Sequence, residues 1–236
     1  MPETFSHSML QAYLECPQKY KLTFVDKISL PQDPSTAITG KKIHALINYY
    51  LNNFDISIFL DNLDEKTKQL WQNFLKLNIK PQDIYKSEYA FSVKISNEFW
   101  LTGRIDAIKI EKSLNNNSKD AKYIIFDWKS GKIPKNNEFD LQSAIYLYSL
   151  YKILKLNNKI NSYENISFTY FSLKDNLSNT IKLSEEKYFI FEEKIFEIIR
   201  NITIKVFENN ADVTKCYNCK CKNMCKTPVF FKKNML

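Results

Sequence analysis

The sequence predicts an α/β fold in which an antiparallel β-meander is flanked by helices, and three observations carry that prediction. Apolar residues recur at helical spacing through residue 80, switch to a period of two from Glu88 to Lys129, and return to helical spacing at Leu141. No apolar run approaches the roughly 18 residues that a membrane span requires. The 236 residues, 44% hydrophobic and 14% aromatic, suffice for one substantial core, so a single domain over 1–236 is expected.

The elements follow in order. Ser8 and Gln11 stand at capping-box spacing around Leu10, ahead of Tyr13 and Leu14, which predicts a first helix from residue 8 that breaks near Pro17. A second helix fits "STAITGKKIHALINYYLNNF", where Ile43, Ile47, Tyr50 and Leu51 form one stripe and His44 falls beside it. Residues 58–78 read as further amphipathic helix, so a helical segment over 36–80 precedes the sheet. "YAFSVKI", "EFWLTGRIDAIKI" and "KYIIFDWKS" then alternate as strands, and the polar "EKSLNNNSKD" between the last two suits a hairpin. "LQSAIYLYSLYKILKL" is helix, with Gln142 and Tyr146 four apart on one face. "NISFTYFSL" returns to strand, and "SEEKYFIFEEKIFEIIRNITIKVFE" is a long helix with Ser184 as N-cap and Glu185 and Glu186 in its first turn.

Lys and Arg outnumber Asp and Glu by 34 to 26, and the resulting net charge of +8 favours a polyanionic partner without identifying one. The N-terminal residues show no basic segment followed by an apolar core, so a cytoplasmic protein with no membrane attachment is expected. Five cysteines, four of them crowded into "KCYNCKCKNMC", do not resemble a secreted disulfide framework; in a reducing compartment such a cluster more often holds a metal.

Two constellations carry chemistry. Cys216, Cys219 and Cys225 offer three thiolates from one loop, and a tetrahedral metal or a cubane cluster needs a fourth. Cys16 in "LECPQKY" lies outside that loop, and as the fourth ligand it would tie the chain ends together, a closure worth about 4–5 kcal/mol in the entropy model. The alternatives are a buried apolar Cys16 and a zinc knuckle of the four local cysteines, with Cys221 among them. The second constellation is acidic. Asp106 and Asp127 are equidistant from the Asn116–Asn117 midpoint, so a symmetric hairpin sets them opposite each other with Cβ atoms about 5 Å apart. Opposed carboxylates repel unless a cation lies between them; a bulge in the connection would instead shift the register. Asp127 and Lys129, two apart on a strand, share a face and form either an ion pair or the start of a reaction centre. Magnesium needs few protein ligands, and an adjacent ammonium can position water or offset charge at phosphorus. Glu88 either orients a group near such a metal or is a plain strand-entry glutamate, and Arg104 can pair with Asp106 or with a phosphate.

"CPQKY", "GKKIH", "GRID", "DWKSGK", "QSAIY" and C-x2-C-x5-C occur here in the order found in RecB-like nucleases of the PD-(D/E)XK superfamily, and the chain from Ser8 to Cys225 resembles the iron–sulfur branch that includes CRISPR-associated RecB-like exonucleases and the AddB nuclease domain. The resemblance implies a restriction-endonuclease-like core, a mixed β-sheet flanked by helices, with the chain ends joined at a 4Fe-4S cluster on Cys16, Cys216, Cys219 and Cys225. It implies Mg2+ or Mn2+ held by His44, Asp106, Asp127 and the Trp128 carbonyl, with Lys129 as catalytic lysine. Gln142 and Tyr146 match the Q-x3-Y motif that contacts DNA near the scissile phosphate. The activity implied is a DNA exonuclease on single-stranded or frayed ends, partnered by DNA and by a helicase or CRISPR integration proteins. Asp stands at 127 where the family often has Glu, and Cys221 is an extra thiol within the cluster loop. A non-catalytic nucleic-acid-binding module on the same fold and a zinc-stapled interaction protein are the alternatives.

Overall fold

The computed structural model describes residues 3–29, 34–112, 118–134, 139–205, 207, 216, 219–221, 224 and 225, of which 34–37 and 118 are described in the main chain alone. The chain divides into two compact units, one of Met1–Thr4 with Asp33–Glu192 and one of Phe5–Gln32 with Glu193–Leu236. Among the described residues no helix is long and apolar enough to cross a membrane.

The first unit is built on a mixed sheet. The strands are β1 (Glu3–Ser6), of which Glu3 and Thr4 fall in this unit, β2 (Ile84–Lys94), β3 (Phe99–Glu111), β4 (Lys122–Lys129), β5 (Ile166–Ser172) and β6 (Leu177–Lys182). They lie in the order β1-β3-β4-β5-β6, with β2 also paired to β3. Strands β2, β3 and β4 form the antiparallel meander that the period of two predicts. The pairs Ala107↔Phe126 to Glu111↔Lys122 place the hairpin axis between Asn116 and Asn117, as expected, although residues 113–117 of the connection lie outside the described residues. β4 and β5 run parallel, which a two-residue turn cannot connect and a crossover helix can. That crossover helix spans Leu141–Leu156.

The helices are α1 (His7–Glu15), α2 (Pro17–Tyr20), α3 (Pro34–Leu51), α4 (Ser57–Asp61), α5 (Glu65–Lys76), α6 (Leu141–Leu156) and α7 (Glu185–Thr203). β4 shows why both sheet faces are covered: Tyr123, Ile125, Phe126, Asp127 and Trp128 are all buried, the mark of a central strand. Phe126 and Trp128 point to one face, where they pack with Ile43 and Ile47 of α3 and Leu70 and Phe74 of α5. Asp127 and Lys129 point to the other, toward α6. Eleven of the sixteen α6 residues are buried, so this helix is enclosed on nearly every side.

Three expectations need correction in detail, and two strands are unexpected. The first helix is capped by Ser6, whose Oγ accepts from the Met9 amide at 3.4 Å; Ser6 has the extended backbone a cap requires, while Gln11 reaches forward to Glu15. The helix over 58–78 is two helices, because Asp64 caps α5 afresh by accepting from the Thr67 amide at 2.9 Å. β2 begins four residues before Glu88, at Ile84. β1 and β6 carry no apolar alternation long enough to announce them; β6 owes its place to pairing with β5.

In the second unit α1 and α2 are followed by a π-helical turn over Lys21–Val25. Tyr20 packs against Tyr13, Phe24 and Phe207, so aromatic rings from the two ends of the chain meet in one cluster.

Gly103 on β3 is required by packing. A Cβ there would stand 2.6 Å from the Phe91 ring, inside any tolerable contact, and 3.2 Å from the Tyr146 ring, a tight one. At Gly40 on α3 a Cβ would meet only Ser130 Oγ, at 3.6 Å. Urea denaturation of Gly103→Ala is expected to show a loss of about 1–3 kcal/mol from overpacking. Gly40→Ala, in a helix interior with room, is expected to gain about 0.5–1 kcal/mol.

Candidate active site

The site forms where β3 and β4 part company. Their ladder ends at Ala107↔Phe126, one pair short of Asp106 and Asp127. Past that point the Trp128 amide would lack a strand partner, and Asp106 Oδ2 supplies one by accepting its N–H at 2.9 Å. Asp106 Oδ2 also lies 3.4 Å from Nδ1 of His44 on α3.

Glu88 joins them. Ser87↔Ala107 and Tyr89↔Ile105 place it level with Asp106 on the neighbouring strand, and its φ of 47° is the left-handed conformation that a non-glycine residue rarely adopts. One ligand atom each from His44, Glu88 and Asp106 lie within 4.8 Å of one another. They line a cleft of about 600 Å³ with Gly40, Lys41, Ala45 and Asn48 of α3 and Arg104 of β3. Burial, and then the Asp106 carboxylate beside it, raise the Glu88 pKa, against the pull of His44 and Arg104. Burial works to neutralise His44, but Asp106, Asp127 and the Trp128 main chain outweigh it and raise its pKa. Two carboxylates and an imidazole so close, in an open cleft, are the donor set of a hard divalent cation.

Asp127 stands apart from that group, in a network of its own. It is 2% exposed. Gln142 Nε2 donates to its Oδ1 at 2.6 Å, and Lys129 Nζ lies 2.8 Å from its Oδ2. That ammonium sits off the line of a hydrogen bond, so Oδ2 is a buried oxygen with a charge beside it but no aligned donor. Lys129 donates instead to Gln142 Oε1 at 2.7 Å. Burial first, then Asp106, raise the Asp127 pKa to about 7, with Lys129 and His44 opposing.

Each residue singled out in the sequence has a definite place. His44 and Asp106 are together, and Asp127, Lys129 and Gln142 are together one strand away. The Trp128 amide faces Asp106 while its side chain is in the core. Tyr146 is 7% exposed, its ring held edge-on against Phe91 and tilted against Phe168, and burial raises its hydroxyl to about 12. Glu88 is the residue whose place the sequence left open. Only its left-handed backbone aims it at the cleft, and nothing in a run of alternating residues signals that.

Cys16, Cys216, Cys219, Cys221 and Cys225 all fall in the second unit, none in a disulfide. The loop is wound so that the Cys219 amide donates to the Cys216 carbonyl at 3.1 Å, the Cys221 amide to Cys219 Sγ at 3.4 Å, and the Cys225 amide to the Cys221 carbonyl at 2.9 Å. Cys221 itself is buried; burial and the neighbouring Cys219 raise its thiol pKa.

A family model described as the PD-(D/E)XK nuclease superfamily matches residues 4–226, and the chain belongs to that superfamily. Solved structures similar to it include a "Putative exonuclease" from Eubacterium rectale, 12% identical with a TM-score of 0.55 over 99% of this chain and 94% of that one. The structure of SSO0001 is 16% identical, with a TM-score of 0.49 over 94% of this chain and 85% of that one. At such identity the first likeness is one of fold. No curated protein matches the chain.

The raised acid pKa has a consequence for stability. Below pH 4 Asp127 is neutral folded or unfolded; between about pH 4 and 7 the unfolded chain gives up this proton while the folded one keeps it, so folding weakens as pH rises. His44, its pKa raised, adds stability below its unfolded pKa that is likewise lost as pH rises past its folded one. Thermal melts of metal-free protein are therefore expected to fall across this window. Asp127→Asn is expected to flatten the fall and to stabilise the metal-free protein at pH 7 by at most about 4 kcal/mol.

Proposed function

We propose that the chain is a divalent-cation-dependent deoxyribonuclease of the RecB-like iron–sulfur branch, acting as an exonuclease on single-stranded or frayed DNA ends. The observation that carries this reading is the meeting, across one strand junction, of the His44–Glu88–Asp106 group with the Asp127–Gln142–Lys129 network. His44, Glu88 and Asp106 would hold Mg2+ or Mn2+, with Asp127 on the neighbouring strand completing the acidic wall. When bound, such a cation polarises a phosphodiester oxygen and lowers the pKa of a water on it.

The chain's own groups supply the rest. Lys129 places a positive charge beside Asp127, where it offsets the negative charge that builds on phosphate oxygens during in-line attack. Gln142 holds both groups by its amide and thereby fixes the direction in which the remaining ammonium hydrogens point. Arg104, its side chain 68% exposed at the cleft mouth, and Lys41 offer cations to the incoming phosphodiester backbone.

The cysteines support the branch assignment by chemistry. Five thiols share one compact unit, and the Cys221 amide donates to Cys219 sulfur, the kind of hydrogen bond that tunes iron–sulfur centres. Cys16, Cys216, Cys219 and Cys225 are the four we assign as ligands, with the buried Cys221 outside the set. This cluster would join the chain ends.

Assays with end-labelled single- and double-stranded DNA under anaerobic conditions, with and without manganese or magnesium, test the reading. Asp106→Ala and Lys129→Ala are each expected to lower cleavage by at least about 100-fold. Wild-type-like cleavage in either would remove the assignment. Iron content and visible absorbance test the cluster separately: wild type is expected to be brown, and Cys16→Ser to lose colour and iron. A colourless wild type holding zinc would overturn the iron–sulfur branch while leaving the nuclease site untouched.

A further inference from the structure

Tyr170 on β5 lies beside Asp127 in the parallel ladder. Its side chain is fully buried, and two contacts tie it to the network. The Lys129 ammonium stands 5.3 Å from the centre of its ring. At its other end the hydroxyl donates to Asp140 Oδ2 at 2.5 Å, and that same oxygen accepts from the Ser143 amide at 2.8 Å as the N-cap of α6.

Gln142 lies in the first turn set by that cap. Its amide must meet Asp127 and Lys129 at once, at 2.6 and 2.7 Å, so a small rotation of the α6 N-terminus would break one bond or both. Packing holds the body of α6, and the Tyr170 hydroxyl adds a restraint at its first turn, because it joins the cap to the strand next to β4. The ring adds a second restraint: the negative face of an aromatic ring attracts an ammonium, and more so where water is excluded.

We propose that Tyr170 is a positioning residue for the reaction centre: through Asp140 it sets Gln142, and through its ring it holds the Lys129 ammonium in place. This rests on the nuclease reading for its kinetic consequence but not for its geometry. The phenol stays protonated at any working pH, since burial first and then Asp140 raise its pKa, so the hydroxyl acts only as a donor.

The test is a double-mutant cycle on wild-type, Tyr170→Phe, Tyr170→Leu and Gln142→Ala backgrounds, assayed well below the melting temperature of each. Tyr170→Phe keeps the ring and loses the donor; about a tenfold loss in kcat with KM within twofold is expected. Tyr170→Leu loses both, and a further loss of about threefold to tenfold is expected. In the Gln142→Ala background Tyr170→Phe is expected to change kcat by less than about twofold, because the group it acts through is gone. A general loosening of the fold would give the same loss in both backgrounds, and that result overturns the proposal, as does an unchanged kcat in Tyr170→Phe. Should the wild type cleave nothing, the nuclease reading falls and the inference is judged by NMR instead. The Gln142 side-chain amide resonances are expected to shift in Tyr170→Phe, and amide resonances that stay in place overturn it.

Discussion

The arrangement depends on one amide. Asp127 and Lys129 are opposite charges on one face of one strand, and they stand in contact at 2.8 Å. Gln142 bridges the pair, accepting from the ammonium and donating to the other carboxylate oxygen, so the geometry of the contact is fixed from the helix. That requires the first turn of α6 to lie over the end of β4. The topology places it there, because a helix crossing from β4 to a parallel β5 must begin near the end where β4 finishes.

The same geometry explains why the site is electrostatically tense. A carboxylate enclosed to this degree loses its hydration, and the nearby Asp106 adds repulsion that Lys129 only partly offsets. Asp106 and Glu88 repel each other across the cleft, with His44 and Arg104 as the available relief. Each of these costs folding some free energy, and each is relieved by positive charge at one place. A fold that keeps acids in such positions is set up to take a cation there rather than to be most stable without one.

Much of this was legible in the residues. The Asp127–Lys129 contact follows from strand alternation, the hairpin axis from the symmetry of the connection, and the shared face of Gln142 and Tyr146 from helical spacing; these are local rules that hold wherever the element forms. Glu88 was not legible, because its aim depends on a left-handed residue inside a ladder, which tertiary pairing imposes against local preference. Tyr170 was hidden for a different reason. In "NISFTYFSL" it reads as one more aromatic of a buried strand, and its partner Asp140 is 30 residues away. β6 escaped notice because an edge strand is held by its neighbour's main chain and needs no apolar signature of its own.

Glu88 has paired residues on both sides, Ser87 with Ala107 and Tyr89 with Ile105. Its unfavourable torsion costs about 1–3 kcal/mol and cannot relax unless one of those pairs opens. The direction in which this acid leaves the strand is thus set by main-chain pairing rather than by a rotamer choice alone. Part of the entropy of assembling the cleft is therefore spent when the strands pair.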